Sequence, residues 1–277
     1  MNYKTKFIAE IGSNHNRSLS RCYRLIDEAK KLGFYAVKFQ LFRIEKLFSK
    51  DAKKLYKNLK NIKRRELPLK FIPKLHNYCK IKRIKFSCTP FDLDSVKVLR
   101  KYVDFYKIAS YELNWKDLLQ ACAKTNKKVI LSTGMATFKE VKEAFSTLKN
   151  LNDKISLLHC VSAYPANSKS CNLKSITYLK KKFNCPVGWS DHTVNPLIIF
   201  NAIKYQKADL IELHLDLDGN GWEQKEGNHH CWLPSDCKKM MSYLNNEKAV
   251  EGIMKKSYSR EELDERKFRA DPSDGLR

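Results

Sequence analysis

Short apolar runs rich in β-branched and aromatic residues recur along the chain, and amphipathic stretches fill the intervals between them. The runs lie at residues 7–12, 36–42, 84–89, 105–110, 129–133, 155–161, 187–191 and 210–215. Each has the length of a strand buried on both faces and is too short for a helix, so eight strands are predicted. Between them the apolar spacing shifts to a helical period. In the first interval Leu19, Tyr23, Ile26, Ala29 and Leu32 fall on one face of a helix over 19–32. Equivalent helices are predicted at 68–79, 93–101, 115–125, 138–148, 173–182 and 196–205, and another at 234–244 follows the eighth strand. Ser18 and Asp92 stand where N-caps belong, and Gly33 stands where the first helix has to stop.

Strand–helix alternation of this regularity specifies a parallel sheet covered by helices. Eight units in about 245 residues, with no Gly-x-Gly-x-x-Gly after the first strand, favour an α/β fold of the closed (β/α)8 TIM-barrel type over a doubly wound sheet. The predicted division is a barrel domain over residues 1–245 and a short, charged C-terminal tail over 246–277. The interval 43–83 is much longer than the rest and predicts an extra helix or a lid loop.

Composition supports a folded, soluble chain. The 277 residues are 43% hydrophobic and 11% aromatic, enough to build a core. No run of roughly 18 apolar residues occurs, so no membrane span is expected. The N-terminus enters the first strand without an apolar signal region. Nine cysteines are scattered singly, with no Cys-x-x-Cys pair, as befits reduced thiols in a cytoplasmic protein. Charge is the unusual property: 54 Lys+Arg against 30 Asp+Glu gives a formal +24. Between Lys53 and Lys85, thirteen basic residues stand against one acid, Glu66. This cluster lacks a nucleic-acid motif and interleaved stacking aromatics, so it reads as a solvated face, and nucleic acid is not expected as a partner.

Barrels of this kind place chemistry at the C-terminal strand ends, where an inward polar side chain is costly unless it binds something. The predicted ends supply Glu10 with Asn14, His15 and Asn16; Lys38 and Gln40; Ser87 and Thr89; and Lys107, Ser110 and Glu112. They continue with Ser132 and Thr133; His159, Ser162 and Tyr164; Ser190, Asp191 and His192; and Glu212 and His214. Lys38 and Lys107 lie inside apolar runs, and with hydroxyls at neighbouring ends they point to a phosphate or carboxylate pocket. His192 and His214 end adjacent strands with Glu212 nearby. That donor set suits a borderline divalent ion such as Mn²⁺, Fe²⁺, Co²⁺ or Zn²⁺, its shell completed by substrate and water. His229, His230 and Cys231 are consecutive and share one ion poorly, so they are expected in an active-site loop with one histidine turned inward. Cys88 and Cys160 read as core fillers rather than nucleophiles. Trp189 and Trp232 could equally line a sugar or pack the core.

These residues carry a family likeness. Ile8-Ala9-Glu10-Ile11-Gly12-Ser13-Asn14-His15-Asn16, Ala36-Val37-Lys38-Phe39-Gln40, Phe86-Ser87-Cys88-Thr89-Pro90-Phe91 and Tyr106-Lys107-Ile108-Ala109-Ser110 resemble segments of the sialic acid synthase family. So do Ile130-Leu131-Ser132-Thr133-Gly134-Met135, His159-Cys160-Val161-Ser162-Ala163-Tyr164-Pro165 and Gly188-Trp189-Ser190-Asp191-His192-Thr193, in order along residues 6–245. The family includes N-acetylneuraminate, legionaminate and pseudaminate synthases. The resemblance implies metal-dependent condensation of phosphoenolpyruvate with an N-acetylated amino-hexose to a nine-carbon 2-keto-3-deoxy sugar acid, for surface glycans such as lipopolysaccharide or capsule. It implies that Lys38, Lys107, Ser110, Ser132, Ser162, Tyr164 and Ser190 hold phosphoenolpyruvate. His192 and His214 are implied to hold a divalent metal, Mn²⁺ ahead of Mg²⁺. Glu10 is implied as the acid/base that activates water, with Lys38 and Glu112 beside it in the catalytic set. Thr89, Gln40 and His230 are implied at the sugar, and a homodimer is the implied assembly.

Three departures accompany the likeness. Members usually carry a C-terminal antifreeze-like domain that supplies an arginine, and this sequence resembles a short form without it; Arg266, Arg269 and Arg277 of the tail are candidate substitutes. The usual Gly-Pro-Asp-His is replaced by Gly227-Asn228-His229-His230, and the usual Asn before the Tyr-Pro pair by Ser162-Ala163. Two alternatives stay open at this stage. One is a related 2-keto-3-deoxy acid synthase that takes a phosphorylated aldose, with the basic cluster serving its phosphate. The other is a non-catalytic barrel that binds a sugar acid or a polyanion.

Overall fold

A computed structural model of the chain describes residues 5–49, 51, 59–224, 229–251 and 254–277. Eight parallel strands, β1 (Lys6–Gly12), β2 (Ala36–Leu41), β3 (Lys85–Pro90), β4 (Phe105–Ile108), β5 (Lys128–Ser132), β6 (Ile155–Cys160), β7 (Val187–Asp191) and β8 (Leu210–His214), close into one barrel in sequence order. Each lies within two residues of a predicted run. The fold is the predicted (β/α)8 TIM barrel. Helices at Leu19–Lys31, Ile72–Lys82, Leu93–Leu99, Lys116–Ala123, Phe138–Lys149, Lys174–Phe183, Pro196–Lys204 and Pro234–Glu251 follow the strands.

The caps behave as their chemistry requires. The Ser18 side chain accepts from the Arg21 amide and Asp92 from the Ser95 amide, filling donors that a helix start leaves unpaired. Gly33 follows the first helix at φ +76°, a left-handed conformation that costs glycine nothing. Two helices depart from expectation by more than two residues, ending at Lys82 and Glu251 rather than at 79 and 244 respectively, while the others agree within two. The predicted 68–79 helix begins at Ile72, after the 3-10 turn Leu69–Phe71, and its Pro73 sits in the first turn, where no amide is missed. The last helix runs to Glu251 rather than 244, because no glycine or proline interrupts it before Gly252. The long interval after β2 holds short helices at Ile44–Leu47 and Leu59–Lys63. Lys53, Lys54 and Lys57 of the basic cluster lie outside the described residues.

Alternation along the strands sorts the barrel interior into layers. Ile8, Ala36, Phe105, Ile130, Leu158 and Leu210 form an inner apolar cluster. Two positions further along the same strands stand Glu10, Lys38, Lys107, Ser132, Cys160 and Glu212, all buried. Two positions further again come Gln40, Ser162 and His214, at the mouth, with Thr89 of β3 beside Gln40 and His192, just after β7, beside His214. The register sets Glu10 beside Lys38 on β2 and His214 on β8, and Ser190 beside Glu212. The apolar layer therefore seals the bottom, and the polar layers open upward. Among the described residues no helix is long and apolar enough to cross a membrane.

Candidate active site

The middle layer is a buried quartet of two lysines and two carboxylates. Lys38 forms an ion pair with Glu10, and its Nζ is 3.8 Å from Glu212 and 3.4 Å from the Thr89 hydroxyl. Lys107 Nζ is 3.4 Å from Glu212, and Ser190 donates to the same carboxylate at 3.1 Å. Gln40 donates to Glu10 at 3.0 Å. Desolvation of these groups is the dominant cost, and the pairing offsets it. Burial pushes Lys107 down and Glu10 up, the latter in spite of Lys38. Against its own desolvation, Glu212 is held at about 2 by Lys107 and Lys38. Glu212 is thus the counter-ion of the two lysines rather than an acid serving the histidines.

A second cluster converges where β4, β5 and β6 end. The Gly134 amide donates to Ser110 Oγ at 2.9 Å, and Ser110 Oγ lies 3.3 Å from Cys160 Sγ. A Cβ built on Gly134 would stand 2.3 Å from Ser162 Oγ and 2.9 Å from both Ser110 Oγ and Cys160 Sγ. Ser110, Ser162 and the backbone of residue 134 therefore meet at one point, as a phosphate cradle needs. Ser132 is buried below them, in the layer of Lys107.

The histidines gather across the mouth. The His192 and His214 ring centroids are 5.3 Å apart, His214 and His230 are 4.6 Å apart, and Tyr164 packs 4.4 Å from His192 and 5.0 Å from His230. His230 is buried while His229 is exposed, as expected of a loop with one inward imidazole. His192 Nδ1 bonds the Val161 carbonyl at 2.7 Å, and His214 Nδ1 bonds Glu223 Oε2 at 2.7 Å. Each ring so oriented donates through Nδ1–H to an acceptor behind it, which leaves Nε2 as the nitrogen a metal would take, the arrangement of metal-ligating imidazoles. Burial holds His192 neutral, at about 3. The donor set therefore fits a borderline divalent ion. Ligand atoms of His214, Glu223, His230 and Cys231 also lie within 4.8 Å of one another, so, contrary to expectation, the consecutive residues His230 and Cys231 can face one ion.

A cleft of about 620 Å³ opens above. Its floor includes Gln40, Glu112, Tyr164, His214, Glu223 and His230, and its outer wall is apolar, with Phe42, Leu47, Phe48, Ile62 and Phe91. Arg65 lines it too. Desolvation pushes Glu112 up to about 7, and its Oε2 has no hydrogen-bond partner among the described residues. Trp189 and Trp232 do not line this cleft: both indoles are buried and donate to Asp191 at 3.0 and 2.9 Å. Burial pushes the Cys88 thiol up, in keeping with an inert filler.

The loop after β8 carries what sequence reasoning missed. Glu223 accepts from the Ser13 amide at 2.8 Å, and Asn14 Oδ1 accepts from the Glu223 amide at 2.9 Å. Asn16 Oδ1 accepts from the Trp222 amide at 3.0 Å. The polar run after β1 is thus a clamp for another loop, not a ligand set. Glu223 sits outside any strand period, so the one signal open to inspection was the glycine-flanked stretch Gly219-Asn220-Gly221-Trp222-Glu223.

Known proteins match this arrangement. The NeuB family model matches residues 25–256. N,N'-diacetyllegionaminic acid synthase of Campylobacter jejuni is 40% identical over 231 residues, covering 78% of this chain and 69% of that protein. N-acetylneuraminate-9-phosphate synthase of Drosophila melanogaster is 31% identical, covering 93% and 73%. The crystal structure of the N-acetylneuraminic acid synthetase of Leptospira borgpetersenii superposes with a TM-score of 0.81 at 31% identity, covering 96% and 91%. The chain therefore belongs to the NeuB family and is an enzyme of the sugar acid synthase class.

Proposed function

We propose that this enzyme condenses phosphoenolpyruvate with an N-acetylated amino-hexose to form a nine-carbon 2-keto-3-deoxy sugar acid for surface glycans, working in the cytoplasm, with the barrel over residues 1–245 carrying the chemistry. The observation that carries the reading is the buried Lys38–Glu10–Glu212–Lys107 quartet directly below the His192–His214 pair. Lys38, Lys107 and the Ser110, Ser132, Ser162 and Ser190 hydroxyls hold the anionic enolpyruvate, with Tyr164 against its upper edge. Its methylene carbon attacks the sugar aldehyde, water adds at the enol carbon, and phosphate leaves onto the lysines and hydroxyls. Glu10, raised by burial, takes the proton of that water, and its charge answers the oxocarbenium character of the enol carbon. His192 and His214 would hold a divalent ion, Mn²⁺ before Mg²⁺, which would supply Lewis-acid polarisation of the aldehyde. Glu112, Gln40, Thr89 and His230 orient the acceptor, and the apolar wall suits its acyl groups.

Phosphate release from phosphoenolpyruvate in the presence of Mn²⁺ and a panel of N-acetylated hexosamines tests this. Turnover with at least one free sugar is expected; none with any sugar, together with no Mn²⁺ bound, overturns it. A phosphorylated acceptor is less well served. Among the described members of the Lys53–Lys85 run, Arg65 lines the cleft, while Lys63, Lys82 and Lys85 pair on the outside with Glu45, Asp27 and Asp104.

A further inference from the structure

We infer that Glu223 is the positioning residue that makes His214 a metal ligand, and that the loop after β8 is locked to the end of β1 to hold it there; this rests on the metal reading above. Glu223 Oε2 fixes the His214 ring through Nδ1, leaving Nε2 as donor, and Oε1 is taken by the Ser13 amide. Although the carboxylate lies within 4.8 Å of the His214, His230 and Cys231 ligand atoms, its inferred role is to orient the ligand rather than to bind the ion itself. The chain is shaped around this group. Gly12 is left-handed at φ +49°, and a Cβ there would stand 1.8 Å from Glu223 Oε1, so the turn after β1 accommodates no side chain beneath the carboxylate. Asn14 grips the loop twice, accepting from the Glu223 amide and donating to the Leu215 carbonyl at 3.1 Å. Arg21 ties the same loop down through Asp216 at 2.6 Å.

The test is calorimetric titration of the metal-stripped protein with Mn²⁺, with circular dichroism as the control for folding. Wild type is expected to bind one Mn²⁺, and His214→Ala to lose it. Glu223→Gln is expected to bind with unchanged stoichiometry but about 10–100-fold more weakly. Gly12→Ala, which displaces the carboxylate without altering it, is expected to weaken Mn²⁺ in the same way and serves if Glu223→Gln does not fold. Loading with Co²⁺ separates positioning from ligation: the visible spectrum of Glu223→Gln should keep the wild-type band positions. Wild-type Mn²⁺ affinity in a folded Glu223→Gln, or a changed Co²⁺ spectrum, overturns the inference. Failure of wild type to bind Mn²⁺, or normal binding by His214→Ala, overturns the metal reading instead.

Discussion

Lys107 and Glu112 show how burial turns ordinary side chains into site chemistry. Lys107 is 3% exposed and relies on Glu212 for compensation. Lys107→Ala removes a charge that the phosphoenolpyruvate anion would meet, and charged hydrogen bonds of this kind contribute about 1.5–3 kcal/mol. The expected outcome is a rise of about tenfold or more in the KM for phosphoenolpyruvate, read by steady-state phosphate release. Glu112 makes a prediction about stability. Its folded carboxyl titrates at about 7 against an unfolded value of 4.5. Between those values the folded chain keeps a proton that the unfolded chain has lost, so stability falls as pH rises through the window. Glu112→Gln is therefore expected to stabilise the protein above pH ~8 by up to ~3 kcal/mol and to have little effect below pH ~4. Urea denaturation of both proteins at the two pH values measures it, and equal midpoint differences at both would remove Glu112 as the cause.

At the scale of strands and loops, legibility follows periodicity. Lys38 and Lys107 could be read as inward because they break apolar runs two positions above Ala36 and Phe105, and the barrel turns that spacing into the polar layer. The caps at Ser18 and Asp92 were legible because an N-cap is a local bond between residues three apart. The role of Glu212 was not, since pairing with Lys38 and Lys107 joins three separate strands. Glu223 was harder still, being set by a loop–loop clamp between residues about 210 apart. Gly134 lies between these cases: its place after a strand was visible, but its reason is the convergence of Ser110, Ser162 and Cys160 upon it. Gly134→Ala is expected to push Ser162 and Ser110 out of register and cut kcat/KM for phosphoenolpyruvate more than tenfold, since misplacing positioning groups by about 1 Å can cost about a hundredfold. Wild-type kinetics in that variant would show that the three groups do not form the cradle.

For the molecule as a whole, the +24 charge has two parts that respond differently to salt. Lys38 and Lys107 are buried in the barrel, where counter-ions do not reach them. Most described members of the Lys53–Lys85 run are exposed, including Arg64, Lys70, Lys74, Lys80 and Arg83. Exposed charge acts through solvent over a Debye length of about 10 Å at 0.1 M salt and is lost at higher ionic strength. An excess of this size surrounds the protein with a positive potential that favours encounter with anions, without bonding any particular one. For a phosphoenolpyruvate-dependent enzyme, raising salt from about 0.05 M to about 0.5 M should therefore lower kcat/KM for phosphoenolpyruvate by about threefold to tenfold while leaving kcat nearly unchanged, because the field acts on encounter and the buried lysines act on the bound state. Initial rates across that salt range decide the matter. A fall in kcat with constant KM would place the salt-sensitive charge inside the site and contradict the division drawn between the two sets of cations.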